Sequence, residues 1–416
     1  MNTGEANAMG EATATSTSNA TPNPQPKRVR DIRLDFFRGI CLFIIFIAHT
    51  YGNPWANFIP ARFGFSDATE IFVFCSGMAS AIAFGATFQR HGLLVGFGRV
   101  TFRIWQVYWA HISLFITVIC MTIITDQWLD GGNGAYLRGL KFENLFNENA
   151  KSAMAGVVLL QWAPPYLDIL PMYLIILCMM PFFILIANAN KYAAAGLVIV
   201  LWLAAHVTGL NMVSPAWSDA SWFFNPFGWQ LIFFTGFAFM RGWIPAPPVD
   251  RRLVIAAIVY CLFSLPLEWE PALLTFDFLM QTREAIAPLI DKGKLGILRY
   301  IHFLALAYLA YVAVGEGGRH LKGPVVQVVA KVGQQSLGIF MAGIVLAFIM
   351  GPFMNAFGRN VLTVTIANVG GFAILIAIAY TVAWYKSAPW SKRPADRPAA
   401  PSDPGRAELR TKLPVT

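Results

Sequence analysis

Charge is scarce in this chain: Asp, Glu, Lys and Arg make up 13% of its 416 residues, about half the share of an average soluble domain. Cysteine is sparser still. Cys41, Cys75, Cys120, Cys178 and Cys261 all fall in apolar stretches, with no CxxC pair and no Cys/His cluster, so neither a zinc site nor a disulfide framework is expected. The chain also lacks a glycine-rich phosphate loop and a serine nucleophile elbow, which argues against a P-loop nucleotide enzyme and a covalent serine hydrolase. Residues 1–26 contain no apolar run, so no cleavable signal peptide is expected.

Hydrophobicity takes the place of charge. Apolar residues reach 56%, with 34 Phe and 13 Trp, a composition that belongs to proteins whose helices lie in a bilayer and whose aromatic rings sit at its borders. Windows of roughly 20 residues give ten candidate spans, at 34–51, 67–88, 101–125, 167–188, 192–210, 221–240, 251–268, 295–315, 335–357 and 361–385. The stretches 154–163 and 272–290 read as shorter re-entrant or interfacial pieces. With the N-terminus placed inside, 21 of the 31 Lys and Arg fall on cytoplasmic segments. The expected fold is therefore all-α and polytopic, with about ten transmembrane helices and both termini cytoplasmic. Residues 31–386 form the membrane domain, and the polar tails 1–30 and 387–416 are expected to be disordered. The net charge of +9 collects at span ends and in the tails, where it reports topology rather than a nucleic-acid partner.

Polar residues inside the apolar segments are the candidates for chemistry, because each is costly to place in a bilayer. The first segment holds Arg38 near one end and His49 at the other, about 16 Å apart along a helix at 1.5 Å per residue. That distance excludes a salt bridge and suggests two stations on one path. An imidazole with an ordinary pKa near 6.5 accepts and returns protons at neutral pH. Glu70 opens the next segment on the same side as His49, and a carboxylate there can orient an imidazole; Asp67, one turn earlier, competes for that role. Ser76, Gly77, Ala79, Ser80 and Ala81 are small enough for neighbouring helices to approach closely. Arg99 and Arg103, four residues apart, share a helical face; they read as topology signals or as an anion site for phosphates. His111 lies about two turns further on. Asp168 and Tyr173, Asn225 and Gln230, and Arg299 and His302 then interrupt three later segments on the His49 side, which suggests one wet polar cavity open outward.

Several motifs carry a resemblance. RLDFFRG followed by His49, then ATEIFVFCSGMASA, RIWQVYWAH, YLDILPMY, NPFGWQLIFFTGF and LRYIHFLALAY resemble, in order over nearly all of 30–385, the OpgC family. These are membrane succinyltransferases that decorate osmoregulated periplasmic glucans in proteobacteria. The first two motifs are also similar to the broader acyltransferase-3 superfamily, with its Arg/Lys-x10-His pattern and FFxxSG-like second motif, from which IFVFCSG departs mildly. The resemblance implies an inner-membrane O-acyltransferase with cytoplasmic succinyl-CoA as donor, a periplasmic glucan as acceptor, and no metal. On that reading Arg38, Arg99 and Arg103 serve the donor and His49 is general base, oriented by Glu70 or Asp67. His111, Asp168, Tyr173, Asn225, Gln230, Arg299 and His302 line the acceptor or acyl site, with Arg299 the candidate cation for the succinyl carboxylate. An acetyltransferase acting on another extracellular polysaccharide, and a secondary transporter of carboxylates, stay open as alternatives.

Overall fold

A computed structural model describes residues 31–213 and 222–391. The N-terminal tail, most of the C-terminal tail and the start of the predicted 221–240 segment lie outside the described residues. Among the described residues every element is helical and no strand forms. The principal helices are α1 (Ile32–His49), α2 (Ala68–Ser80), α3 (Ala86–Leu129), α4 (Ile169–Ala189), α5 (Lys191–Val207), α6 (Pro226–Met240), α7 (Arg251–Ser264), α8 (Ile297–Val314), α9 (Pro324–Gln334), α10 (Ser336–Phe357) and α11 (Val361–Lys386). Each of the ten predicted segments falls on helix. Among the described residues five helical runs, Ala68–Leu129, α4, α8, α10 and α11, are long and apolar enough to cross a membrane. The 154–163 and 272–290 stretches lie instead among the short helices of two connections, 130–168 and 265–296.

Helix boundaries follow from local chemistry. Asp67 and Glu70 form a reciprocal capping box at the start of α2. Asn190, Asn225 and Asp250 accept backbone N–H groups at the starts of α5, α6 and α7, and Pro226 fits the first turn of α6, where no N–H is needed. The run from α2 through α3 is broken at Gly92, whose φ of 77° is open to glycine and strained for other residues. Across that break the Arg99 guanidinium donates to Thr87 Oγ1 at 2.7 Å.

Two helix pairs meet through reciprocal glycines. A Cβ on Gly77 of α2 would overlap the carbonyl of Phe233 on α6, and a Cβ on Gly236 of α6 would overlap the carbonyl of Phe74 on α2. Gly39 and Gly333 do the same for α1 and α9, against the carbonyls of Val329 and Asp35. Close backbone approach through small residues is how helices associate where lipid removes the hydrophobic drive. The role expected of Gly77 is thereby given a partner. Gly77→Leu is expected to lower stability by about 1–3 kcal/mol through overpacking, read by thermal unfolding in detergent. Gly338→Leu on α10, where nothing lies within 4 Å of a new Cβ, is the control and leaves the midpoint in place.

Candidate functional site

The start of α2 does two jobs at once. Its capping box directs the Asp67 N–H to Glu70 Oε2 at 2.7 Å and the Thr69 N–H to Asp67 Oδ1 at 2.7 Å. The remaining oxygens of both carboxylates turn toward cations brought from the far half of the chain. Arg299 on α8 donates through Nε to Glu70 Oε1 and through Nη2 to Asp67 Oδ2, the latter at 3.1 Å. Lys292 Nζ reaches the same Asp67 oxygen at 2.5 Å. Glu70, Asp67 and Arg299 are buried, so two acids and two cations compensate one another where solvent is largely excluded.

Lys292 belongs to a loop that is pinned from several sides. Trp229 Nε1 donates to the carbonyls of Lys292 and Gly293 at 2.9 and 3.1 Å, and Trp202 Nε1 to that of Leu295 at 2.9 Å. The backbone N–H of Asn225 donates to the Gly293 carbonyl at 2.9 Å. Gly228 has no Cβ, which lets the Lys294 carbonyl press against α6. The Lys292 side chain, 35% exposed, comes out of this frame into a cavity of about 730 Å³.

His49 stands on the wall of that cavity. Its Nδ1 donates to the Ile45 carbonyl at 2.8 Å, because a carbonyl can only accept. The neutral ring therefore carries its proton on Nδ1, and Nε2 keeps the lone pair with no hydrogen-bond partner among the described residues. Tyr166 packs edge-on to the imidazole with ring centroids 5.4 Å apart. Tyr166 itself has φ 69°, a conformation uncommon for a bulky residue and found where surroundings enforce it. Trp162, Trp222 and Phe223 add apolar and aromatic surface to the cavity; Asp168, Asn211 and Asn225 add polar groups; Lys141 and Lys294 add charge. Such a pocket, apolar with a few fixed polar groups, suits a small organic ligand or a sugar.

The cavity gathers part of the predicted set. His49, Asp168 and Asn225 line it, and Asp67, Glu70 and Arg299 adjoin it through Lys292. A carboxylate was expected on the His49 ring; a backbone carbonyl occupies that position, and Glu70 faces Arg299 instead. Arg299, expected to face an acyl carboxylate, has its donors on two protein carboxylates. Asn225 caps α6 while its amide donates to the Leu210 carbonyl at 2.6 Å. Gln230 is fully buried and donates to the Val198 carbonyl at 2.8 Å, and Tyr173 packs in the core against Phe233. His302 Nδ1 accepts the Ser66 N–H at 3.2 Å and meets the Ser66 hydroxyl at 2.7 Å, so its ring proton is on Nε2, away from any lone pair free for base chemistry. His111 is fully buried off the cavity wall, with both ring nitrogens unpartnered among the described residues.

The remaining candidates lie elsewhere. Arg38, three turns back along α1, has its Nε buried without a partner among the described residues. Arg99 and Arg103 lie on α3, where Arg103 donates to Gln106 Oε1 at 3.3 Å. Sequence reasoning passed over Lys292, Trp162, Tyr166 and Trp222. The run DKGKLG carried a faint signal: two lysines and two glycines immediately before an apolar span that itself holds Arg299. Among the described residues no group of three or more His, Cys, Asp or Glu is placed to hold a metal.

Comparison with curated proteins and with solved structures finds no match. A comparison with protein families finds one, described as OpgC protein, over residues 30–387.

Proposed function

Since this chain belongs to the OpgC family, a family of glucan-modifying acyltransferases, we propose that it moves a succinyl group from cytoplasmic succinyl-CoA to hydroxyls of periplasmic glucans. The observation that carries this reading is the cavity in which His49, with Nδ1 on the Ile45 carbonyl, leaves Nε2 without a hydrogen-bond partner among the described residues. A glucosyl hydroxyl placed there transfers its proton to Nε2 as its oxygen attacks the thioester carbonyl carbon. The carbon–sulfur bond breaks, and the departing CoA sulfur takes the proton back from His49. Trp162, Tyr166 and Trp222 offer flat faces on which a sugar ring can rest. Asp67 and Glu70 act by fixing Lys292 at the cavity wall and Arg299 behind it. The donor's phosphates belong at the opposite, cytoplasmic end, with Arg99 and Arg103, and its acyl arm runs along α1 past Arg38. Both termini are cytoplasmic on this reading, which puts ten helices across the inner membrane.

Glucans isolated from cells with and without the chain test the proposal. Mass spectrometry and anion exchange are expected to show added acyl groups together with added negative charge when the chain is present. Added mass without added charge points to acetyl transfer, and no difference in either removes the acyl-transfer reading.

A further inference from the structure

Arg299 has both of its contacting donors on buried protein carboxylates and does not reach the cavity wall. Lys292 does, and an ammonium has three donor hydrogens. One goes to Asp67, and the other two have no hydrogen-bond partner among the described residues, although the ammonium also lies 5.8 Å from the centroid of the Phe224 ring. Lys292 is also close enough to His49 and to Asp168 to act on both electrostatically. Its carbonyl is held by Trp229 and that of the next residue, Gly293, by Asn225, so the ammonium is presented from a fixed frame rather than from a swinging loop. The two other cavity lysines differ: Lys141 is exposed, and neither pairs with a carboxylate among the described residues. Asp67 therefore does for Lys292 what second contacts do in built sites generally, orienting the charge while leaving part of it unspent.

Resting on the acyl-transfer reading above, we infer that Lys292 is the residue that recognises the free carboxylate of a dicarboxylic acyl donor and so sets donor specificity. An acyl group whose carbonyl lies beside His49 extends its distal carboxylate toward the two open N–H donors. A neutral acyl group of the same length leaves those donors without a charged partner. Sites with committed polar groups discriminate strongly against ligands that cannot satisfy them.

The test compares succinyl-CoA with butyryl-CoA, which has a methyl in place of the carboxylate, using the full chain in detergent with glucan as acceptor. Wild-type protein is expected to prefer succinyl. Lys292→Gln is expected to lower the succinyl-to-butyryl ratio about 10- to 100-fold, the range of a hydrogen bond to a charged group. Lys292→Arg is expected to keep the preference for a carboxylate but to shift it toward the shorter malonyl donor, because the guanidinium reaches further. Lys294→Gln is expected to leave the ratio unchanged. The ratio is internal to each sample and does not depend on how much protein folds. Equal loss of both donors in Lys292→Gln overturns the inference, as does a ratio that moves in Lys294→Gln instead. Should the Gln variant not accumulate, an Arg variant with an unaltered ranking of malonyl, succinyl and glutaryl donors overturns it as well. A wild-type protein that transfers succinyl and butyryl equally removes the inference but leaves acyl transfer standing. Transfer of neither removes both.

Discussion

His49→Ala is expected to lower acyl transfer about 10²–10⁴-fold, the usual contribution of a general base, while acyl-CoA still binds. The reason lies in the tautomer. The Ile45 carbonyl holds the ring proton on Nδ1, so Nε2 is ready to accept the hydroxyl proton without prior rearrangement. Loss of that side chain removes one hydrogen bond at the end of α1, a structural effect far too small to explain a loss of that size. The measurement is modified glucan per unit of folded protein, with acyl-CoA binding followed in parallel. Near-normal transfer by the variant would exclude His49 as the base. The two other histidines expected at the site offer no ready substitute: the His302 lone pair is taken by Ser66, and His111 is sealed in the core.

The largest effect on stability is expected at Arg299. Among the described residues Arg299→Met leaves buried Glu70 without an ion-pair partner and Asp67 with Lys292 alone, and breaking a buried ion pair from one side costs about 3–5 kcal/mol. Thermal unfolding in detergent reads this loss. Arg299→Lys is expected to fall between, because a point charge cannot serve two carboxylates with the geometry of a guanidinium fork. Adding Glu70→Gln to Arg299→Met removes one of the stranded charges and is expected to restore part of the loss. A methionine variant as stable as the parent would show that the cluster contributes nothing to folding.

Much of the helical framework was legible because one signal repeats along the chain. Apolar runs bounded by Asp67, Asn190, Asn225, Asp250 and Asn360 became helices with those residues at their starts. The gathering of His49, Asp168 and Asn225 was legible too: they were read as lying on one side, and they line one cavity. Pairing was not. Asp67 and Lys292 are separated by 225 residues, and no local pattern couples them. Lys292 reads as an ordinary loop charge until Trp229 is seen holding its carbonyl and Asn225 that of Gly293. The same limit applies to Glu70. Its place at the head of the next apolar segment, on a shared side, made it a natural partner for His49, but an arginine 229 residues away takes its carboxylate. Gln230 and Tyr173 show the converse, as polar groups in apolar runs whose work is to satisfy a carbonyl or fill the core.

The separation within the ion cluster also sets an order of events as the protein is made. Asp67 and Glu70 leave the ribosome more than two hundred residues before Arg299, which sits 232 positions beyond Asp67. At about 5–20 residues per second, that interval is on the order of ten to fifty seconds. Throughout it, two acids at the head of α2 are without the cations that will neutralise them. The nascent segment can carry such acids only at the edge of the bilayer, in contact with water. The head of α2 is thus a late-settling part of the bundle, although it is among the first parts synthesised. The cavity beside His49 waits longer still, because Phe340 of α10 is part of its wall, so it cannot be complete in a partly made chain.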